Sequence, residues 1–392
     1  MYHYKKNSII TSILFVATIT VSLISFISVI FPYLLIQSVS SFPNPSINQF
    51  EFGIWGIPVL ISNSIFLTLI IFNKNEKIHR KFSSLFGPLF RFEISSKTAL
   101  IIILVLLGIY VIYSGDEFYR EEFELGDYKK VKPDVENFDP VEKIAQITRF
   151  FLLWSSLTVF DNIRIIPFLG SISLLILTYF FTKEITGKRF AGIISFVVLL
   201  QSNLFLIFDS TATYENFWIL FYLLSLYLIL KLPFLSPVSF VLAILDKALI
   251  FLLFPVNFFI IIRSKISKKQ KISLLISYGI IALIGSLWFW QGLESRLDFS
   301  LEDFWIGFVP FSLALRFDSV VLLFFLPTVV GLYLMAKRGY IKLEIVLFLI
   351  FMSLMLAPLV AALPGYTNEV YRAIPIVVFF AIAVGTLFAK KS

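Results

Sequence analysis

Thr98–Ser114, TALIIILVLLGIYVIYS, runs directly into Gly115-Asp116-Glu117-Phe118-Tyr119-Arg120. The first stretch carries no charged residue and is long enough for a helix to cross the hydrocarbon of a bilayer, which takes about 17–25 residues. Two adjacent carboxylates then appear where such a helix would emerge. An acidic exit from a membrane helix points to chemistry at the water boundary.

The same alternation of long apolar runs and short polar clusters continues along the chain. Of 392 residues, 58% are hydrophobic, 46 are Phe and only 15% are charged, with a mean hydropathy of +0.91. A soluble protein of this size could not bury so much apolar surface. Helices satisfy their own backbone groups in lipid, so the expected fold is an all-α polytopic membrane protein. The alternating pattern of a membrane barrel is absent. The formal charge is +8, but Lys and Arg gather between apolar runs and report topology, so no nucleic-acid partner is expected. With no Cys, a disulfide framework, a thiol nucleophile and a thiolate metal site are excluded. Lys5 and Lys6 precede an apolar run, Ile9–Ile36, too long for a cleaved signal, which reads as a retained anchor.

The positive-inside rule orients the path. Lys5 and Lys6 place the N-terminus in the cytoplasm, Ile9–Ile36 crosses outward and Ile54–Phe72 returns to a basic loop from Lys74 to Lys97. Thr98–Ser114 crosses outward, so Asp116 and Glu117 emerge outside at the start of a long external loop, 115–162. Ile163–Thr182 returns to Lys183, Lys188 and Arg189. Phe190–Ile207 crosses outward and Asn216–Leu230 inward. The next basic loop, Arg263–Lys271, also lies inside, so an even number of crossings must separate it from Lys231. Pro237–Ile262 is interrupted by Asp246-Lys247 and reads as two short helices turning near the external side. Ile272–Trp290, Val320–Met335, Leu343–Ala361 and Ala373–Phe388 complete roughly 12 membrane segments. The C-terminus is expected inside with the N-terminus.

This path puts Asp116, Glu117, Asp209, Asp246 and Glu369 at external ends. Carboxylates also collect outside simply because cations stay inside. Asp116 and Glu117 fit that tendency least, because a carboxylate immediately after a membrane helix can be partly desolvated and tuned as a base. Between Asp209 and Glu215, four-residue spacing pairs Asp209 with Thr213 and Thr211 with Glu215 on a helix; capping of the following helix by Asp209, Ser210 or Thr211 is the other reading. Lys247 either closes a local ion pair at a helix break or presents a cation to a phosphate. Arg372, in an external loop before the last helix, departs from the general trend and shares the reading of Lys247, whereas Arg164 and Arg316 are further external cations suited to ion pairing. Both histidines, His3 and His79, fall inside, which argues against a His-based centre on the external face. No phosphate loop of Walker type is present.

Taken in order, Asp116-Glu117 after a membrane helix, the long external loop, Arg164-Ile165-Ile166-Pro167-Phe168-Leu169-Gly170, Tyr179–Arg189, Tyr214-Glu215, Leu245-Asp246-Lys247 and Tyr371-Arg372-Ala373-Ile374-Pro375 resemble the GT-C superfamily of polyprenyl-phosphate-sugar-dependent glycosyltransferases. The group of protein O-mannosyltransferases and lipid A aminoarabinose transferases is most similar. The resemblance runs from about Thr98 to the C-terminus. It divides the chain into an N-terminal two-helix extension, residues 1–97, and a GT-C-like catalytic core, residues 98–392. A His-Pro-Pro element frequent in the first external loop of that group is missing, with Asp139-Pro140 in its place.

The resemblance implies a multi-pass cell-membrane enzyme working on the external face, with a polyprenyl-phosphate-linked sugar as donor and a protein, lipid or glycan hydroxyl as acceptor. Asp116 would be the base of an inverting displacement, with Glu117 beside it to orient the acceptor or help hold a divalent cation such as Mg or Mn. Lys247 and Arg372 would stabilise the departing phosphate, with Asp209, Glu215 and Arg164 as further binding residues. A lipid or oligosaccharide transporter and a noncatalytic membrane scaffold are the alternatives from other classes.

Overall fold

The computed structural model describes residues 2–34, 48–72, 84, 87–115, 118, 128–212, 216–293, 300–309, 311, 315–316, 318–337, 340, 342–362 and 370–389. Its α-helices, in chain order, are α1 (Tyr2–Ile30), α2 (Gly56–Phe72), α3 (Ser96–Ser114), α4 (Tyr128–Glu136), α5 (Ile147–Phe160), α6 (Ile165–Thr186), α7 (Arg189–Leu200) and α8 (Asn203–Ile207). There follow α9 (Asn216–Lys231), α10 (Ser236–Asp246), α11 (Phe254–Arg263), α12 (Lys268–Leu293), α13 (Leu301–Ile306), α14 (Ser319–Lys337), α15 (Leu343–Ala361) and α16 (Ile374–Thr386). No strand occurs among the described residues. Ile9–Ile30 of α1, together with α3, α6, α14 and α15, are long and apolar enough to cross a membrane, and several of the other helices are apolar but shorter. On α3, Leu100, Ile101, Leu104, Val105, Ile109 and Ile112 are each more than half exposed. A patch of that kind is unfavourable in water and natural against lipid. The protein is an all-helical membrane protein of the multi-pass type.

Three local features depart from the sequence reading. The first helix stops at Ile30, six residues short of the expected Ile36, ahead of Pro32, which disfavours helical geometry in the residue before it. The expected crossing Phe190–Ile207 is broken: α7 ends at Leu200, and Ser202 accepts the Phe205 N–H at 3.0 Å to cap the separate turn α8. The stretch 115–162, expected to be an external loop, contains α4 and α5. The latter ends where Asp161 takes a left-handed conformation, φ 53°, and returns its N–H to Leu157.

The chain divides into two compact units. The first comprises Met1–Ser95, Thr182–Val198 and Ser295–Ser392; the second, Ser96–Phe181 and Leu199–Glu294.

In the first unit, α1 packs along α14 and α15. Its buried positions include Thr11, Thr18, Ser22, Ser25 and Ser28, alongside Val21, Phe26 and Val29, so the face it turns inward is rich in hydroxyls. Within a membrane, small residues let backbones approach closely, and hydroxyls can be satisfied by carbonyls of their own helix. Ser22 and Ser25 do this, on Thr18 and Val21. Thr11 donates to the buried carboxylate of Glu344, at the start of α15. Helix α2 is held through Ser62, whose hydroxyl donates to the Leu323 carbonyl at 2.9 Å. Nearly every residue of α16 is buried.

In the second unit, four successive helices each contribute a side chain to one buried polar cluster: Ser225 of α9, Ser236 of α10, Asn257 of α11 and Tyr278 of α12. Asn257 Nδ2 donates to Ser225 Oγ at 3.1 Å and to Tyr278 Oη at 3.0 Å. Ser236 Oγ lies 2.8 Å from Tyr278 Oη and donates to the Ser225 carbonyl at 2.8 Å. Where lipid supplies no hydrogen-bonding partner, such a cluster fixes which helix faces meet. Between α10 and α11 the chain leaves α-helical geometry at Lys247, φ −151° and ψ 107°, and continues as a 3₁₀ segment, Ala248–Leu253. The expected break at Asp246-Lys247 is present.

Candidate functional site

The second unit contains several of the predicted site residues: Asp209, Arg164, Asp246 and Lys247. Asp209 follows α8 and is fully buried. Its Oδ2 accepts the Tyr110 hydroxyl at 2.7 Å and the Ser114 hydroxyl at 3.0 Å. Both donors lie on the last turn and a half of α3, one turn apart, so the helical period aims them at one carboxylate. The Tyr110 ring also packs on Phe168, with centroids 5.1 Å apart. The Asp209 carbonyl accepts Ser171 Oγ at 2.6 Å, and Ser171 Oγ in turn accepts Asn216 Nδ2 at 2.6 Å. The loop bearing Asp209 is thus tied to α3, α6 and α9.

Asp116, Glu117 and Glu215 lie outside the described residues. Their described neighbours are anchored. Ser114, on the near side of the pair, is bound to Asp209. Phe118, on the far side, has its carbonyl bound by Asn162 Nδ2 at 3.0 Å and its ring set edge-on to Phe168 at 4.9 Å. Asn162 also accepts the Arg164 N–H at 2.9 Å, which places buried Arg164 in the same anchorage at the start of α6.

Asp246 is connected to the Asp209 loop through Arg149. Buried at the end of α10, it accepts the backbone N–H of Trp218 and interacts electrostatically with Arg149. Trp218 is the third residue of α9, where an N–H has no partner inside its own helix. Asp246 therefore caps α9 from outside, and the partial positive charge of that helix end favours the anion. Arg149 Nη2 donates to the Ala212 carbonyl at 2.9 Å and Nη1 to Gln146 Oε1 at 3.1 Å. This links α5 to the Asp209 loop. Beneath them lies a small apolar core of Val131, Val135, Phe150, Leu153, Ile163, Ala212 and Phe217. Lys247, half-buried, occupies the extended position directly after Asp246.

Arg372 belongs to the first unit, in the 3₁₀ turn Val370–Ala373 that leads into α16. Among the described residues no group of three or more His, Asp or Glu side chains is placed to hold a metal ion.

No family model, no curated protein and no solved structure matches the chain. The chemistry open to the site therefore rests on its own residues.

Tyr110, Asn162 and Arg149 escaped the sequence reading. Arg149 carried a usable signal, since a cation inside the expected external loop departs from the positive-inside trend as Arg164 does. Tyr110 carried none, because in sequence it is one aromatic residue in an apolar helix.

Proposed function

We propose that this protein is an integral membrane glycosyltransferase of GT-C type, moving a sugar from a polyprenyl-phosphate-linked donor to a hydroxyl of a protein, lipid or glycan at the external face. The observation that carries the reading is the double anchorage around Asp116-Glu117: Ser114 on Asp209 before the pair, and Phe118 on Asn162 and Phe168 after it. A catalytic base needs a fixed position more than it needs strength when the leaving group is already a good one. A chain held on both sides of a carboxylate pair meets that need, and a solvated acidic loop would not require it.

In this reading Asp116 takes the proton of the acceptor hydroxyl. The acceptor oxygen bonds to the anomeric carbon as the bond from that carbon to the phosphate oxygen breaks, and polyprenyl phosphate leaves as the anion with inversion at carbon. Lys247, at the helix break, supplies positive charge to the departing phosphate. Asp209 positions the end of α3 and does not touch substrate. Asp246 and Arg149 hold the start of α9 and the Asp209 loop.

The deciding measurement is transfer of radiolabelled sugar from polyprenyl-phosphate donors by purified protein in lipid, across a panel of sugars and acceptors. Wild-type transfer is expected, with a loss of about 10²–10⁴-fold in Asp116→Asn at unchanged expression, the usual worth of a positioned base. Near-normal turnover in that variant removes Asp116 from the base role. Vectorial movement of a lipid-linked sugar in proteoliposomes without any covalent transfer replaces the enzyme with a transporter.

A further inference from the structure

The first unit contains a cavity of about 1350 Å³ that the proposed reaction does not use. Five of its lining side chains are cationic, Arg91, Lys183, Lys188, Arg189 and Lys342, against two carboxylates, Glu93 and Glu184. The general tendency of cations to gather on one side of a membrane accounts for a basic surface. It does not account for a basic concavity with an organised interior. Lys188 is only 4% exposed, and its ammonium donates to the Phe90 carbonyl at 2.5 Å. Lys342 Nζ donates to the Glu184 carbonyl at 2.9 Å. Arg189 lies 3.7 Å from Glu93, which also accepts the Arg189 N–H at 3.0 Å. Main-chain oxygens and one ion pair thus fix where these cations stand.

Apart from Tyr340, the rest of the lining side chains are apolar. Phe90, Met335 and Leu387 form part of the wall, and the Phe90 ring stacks on Phe388 at 5.4 Å. The lining residues come from the segment Phe90–Glu93 ahead of α3, from the ends of α6, α14 and α16 and from the starts of α7 and α15. A cavity at the ends of α6, α14 and α15, helices long and apolar enough to span a bilayer, would lie where headgroups meet acyl chains. Its volume exceeds the usual range of about 300–1,000 Å³ for small-ligand pockets.

We propose that this cavity binds a phosphate-bearing ligand, the phosphate lying among Arg91, Lys183 and Lys342 and the apolar part along Phe90, Met335 and Leu387. Clustered cations between membrane helices recognise anionic headgroups through charge-assisted hydrogen bonds, and Arg engages phosphate bidentately. An anionic phospholipid supplies both halves of that chemistry; a soluble phosphate ester supplies only the first.

The test uses the full chain, delipidated in detergent and examined by native mass spectrometry. One arm offers phosphatidic acid or phosphatidylglycerol against phosphatidylcholine, and a second offers inorganic phosphate and glycerol 3-phosphate. Wild type is expected to retain the anionic lipids over phosphatidylcholine, and a variant carrying Arg91→Gln, Lys183→Gln and Lys342→Gln is expected to lose about tenfold in that retention, a shift of roughly 1.4 kcal/mol. The charge-preserving variant with Arg91→Lys, Lys183→Arg and Lys342→Arg should retain most of it. Arg91→Gln alone, at an exposed position, gives a smaller loss in the same direction and stands in if the triple variant fails to fold. Binding in the soluble arm that displaces lipid identifies a free phosphate ester as the ligand. Equal retention by wild type and the Gln variants, or wild type that prefers neither anionic lipid nor soluble phosphate, overturns the proposal. Sugar transfer plays no part in this readout, so the proposed reaction and this site fail separately.

Discussion

Asp209 accepts two hydroxyls at a depth where water cannot replace either. Removing a donor to a buried carboxylate costs about 1–3 kcal/mol, more than the bond itself contributes, because the acceptor stays desolvated. Tyr110→Phe is therefore expected to destabilise the protein by about that amount, read as thermal unfolding in detergent, and to reduce sugar transfer with it. In a double-mutant cycle, Tyr110→Phe and Asp209→Asn should couple by about 0.5–3 kcal/mol; strict additivity would sever the link drawn between them. The sequence marked Asp209 because a carboxylate at the edge of an apolar run stands out. Its partners were not legible, since Tyr110 and Ser114 meet it only after α3 and the Asp209 loop, 99 and 95 residues apart, are brought together. Glu344 was missed for another reason: as the second residue of the expected segment Leu343–Ala361 it sits at a membrane end where a carboxylate draws no notice, whereas it is buried and bound by Thr11.

Among the helices, close approach and polar pairing do the positioning that a hydrophobic effect cannot supply within lipid. A Cβ added to Gly385 would stand 1.9 Å from Ser195 Oγ and 2.6 Å from the Ala191 carbonyl. Gly385→Val is expected to push α16 from α7 and to cost about 1–3 kcal/mol, the usual penalty of overpacking, seen as a lower midpoint of thermal unfolding. Asn257→Leu removes the amide that joins three of the four helices in the polar cluster and is expected to cost about 0.6–1.7 kcal/mol; an unchanged midpoint would show the cluster to be incidental. The break at Lys247 was readable because a charge pair within an apolar run is costly in lipid and marks a point where the helix has to open. The break after Leu200 was not, since Gln201-Ser202 is a mild interruption and the capping bond that makes it decisive appears only in three dimensions.

For the whole molecule, the absence of Cys gives a clean background for mapping orientation. A membrane-impermeant maleimide is expected to label Asp139→Cys in intact cells and Lys269→Cys only after permeabilisation, both positions being exposed. The reverse pattern would invert the assignment of faces and move the proposed chemistry to the other side. Apolar run lengths made the helical membrane class legible. They could not reveal that Met1–Ser95 shares a compact unit with Ser295–Ser392, because run lengths carry no information on which helices touch; the hydroxyl stripe on α1 was the only local sign. That arrangement bears on how the protein is made. Thr11 and Glu344 are separated by 333 positions, and at about 5–20 residues per second the ribosome needs on the order of tens of seconds to synthesise the interval. During that time α1 stands in the bilayer before the helices it packs against exist, and the bonds from Ser22 to Thr18 and from Ser25 to Val21 let its hydroxyls wait without those neighbours.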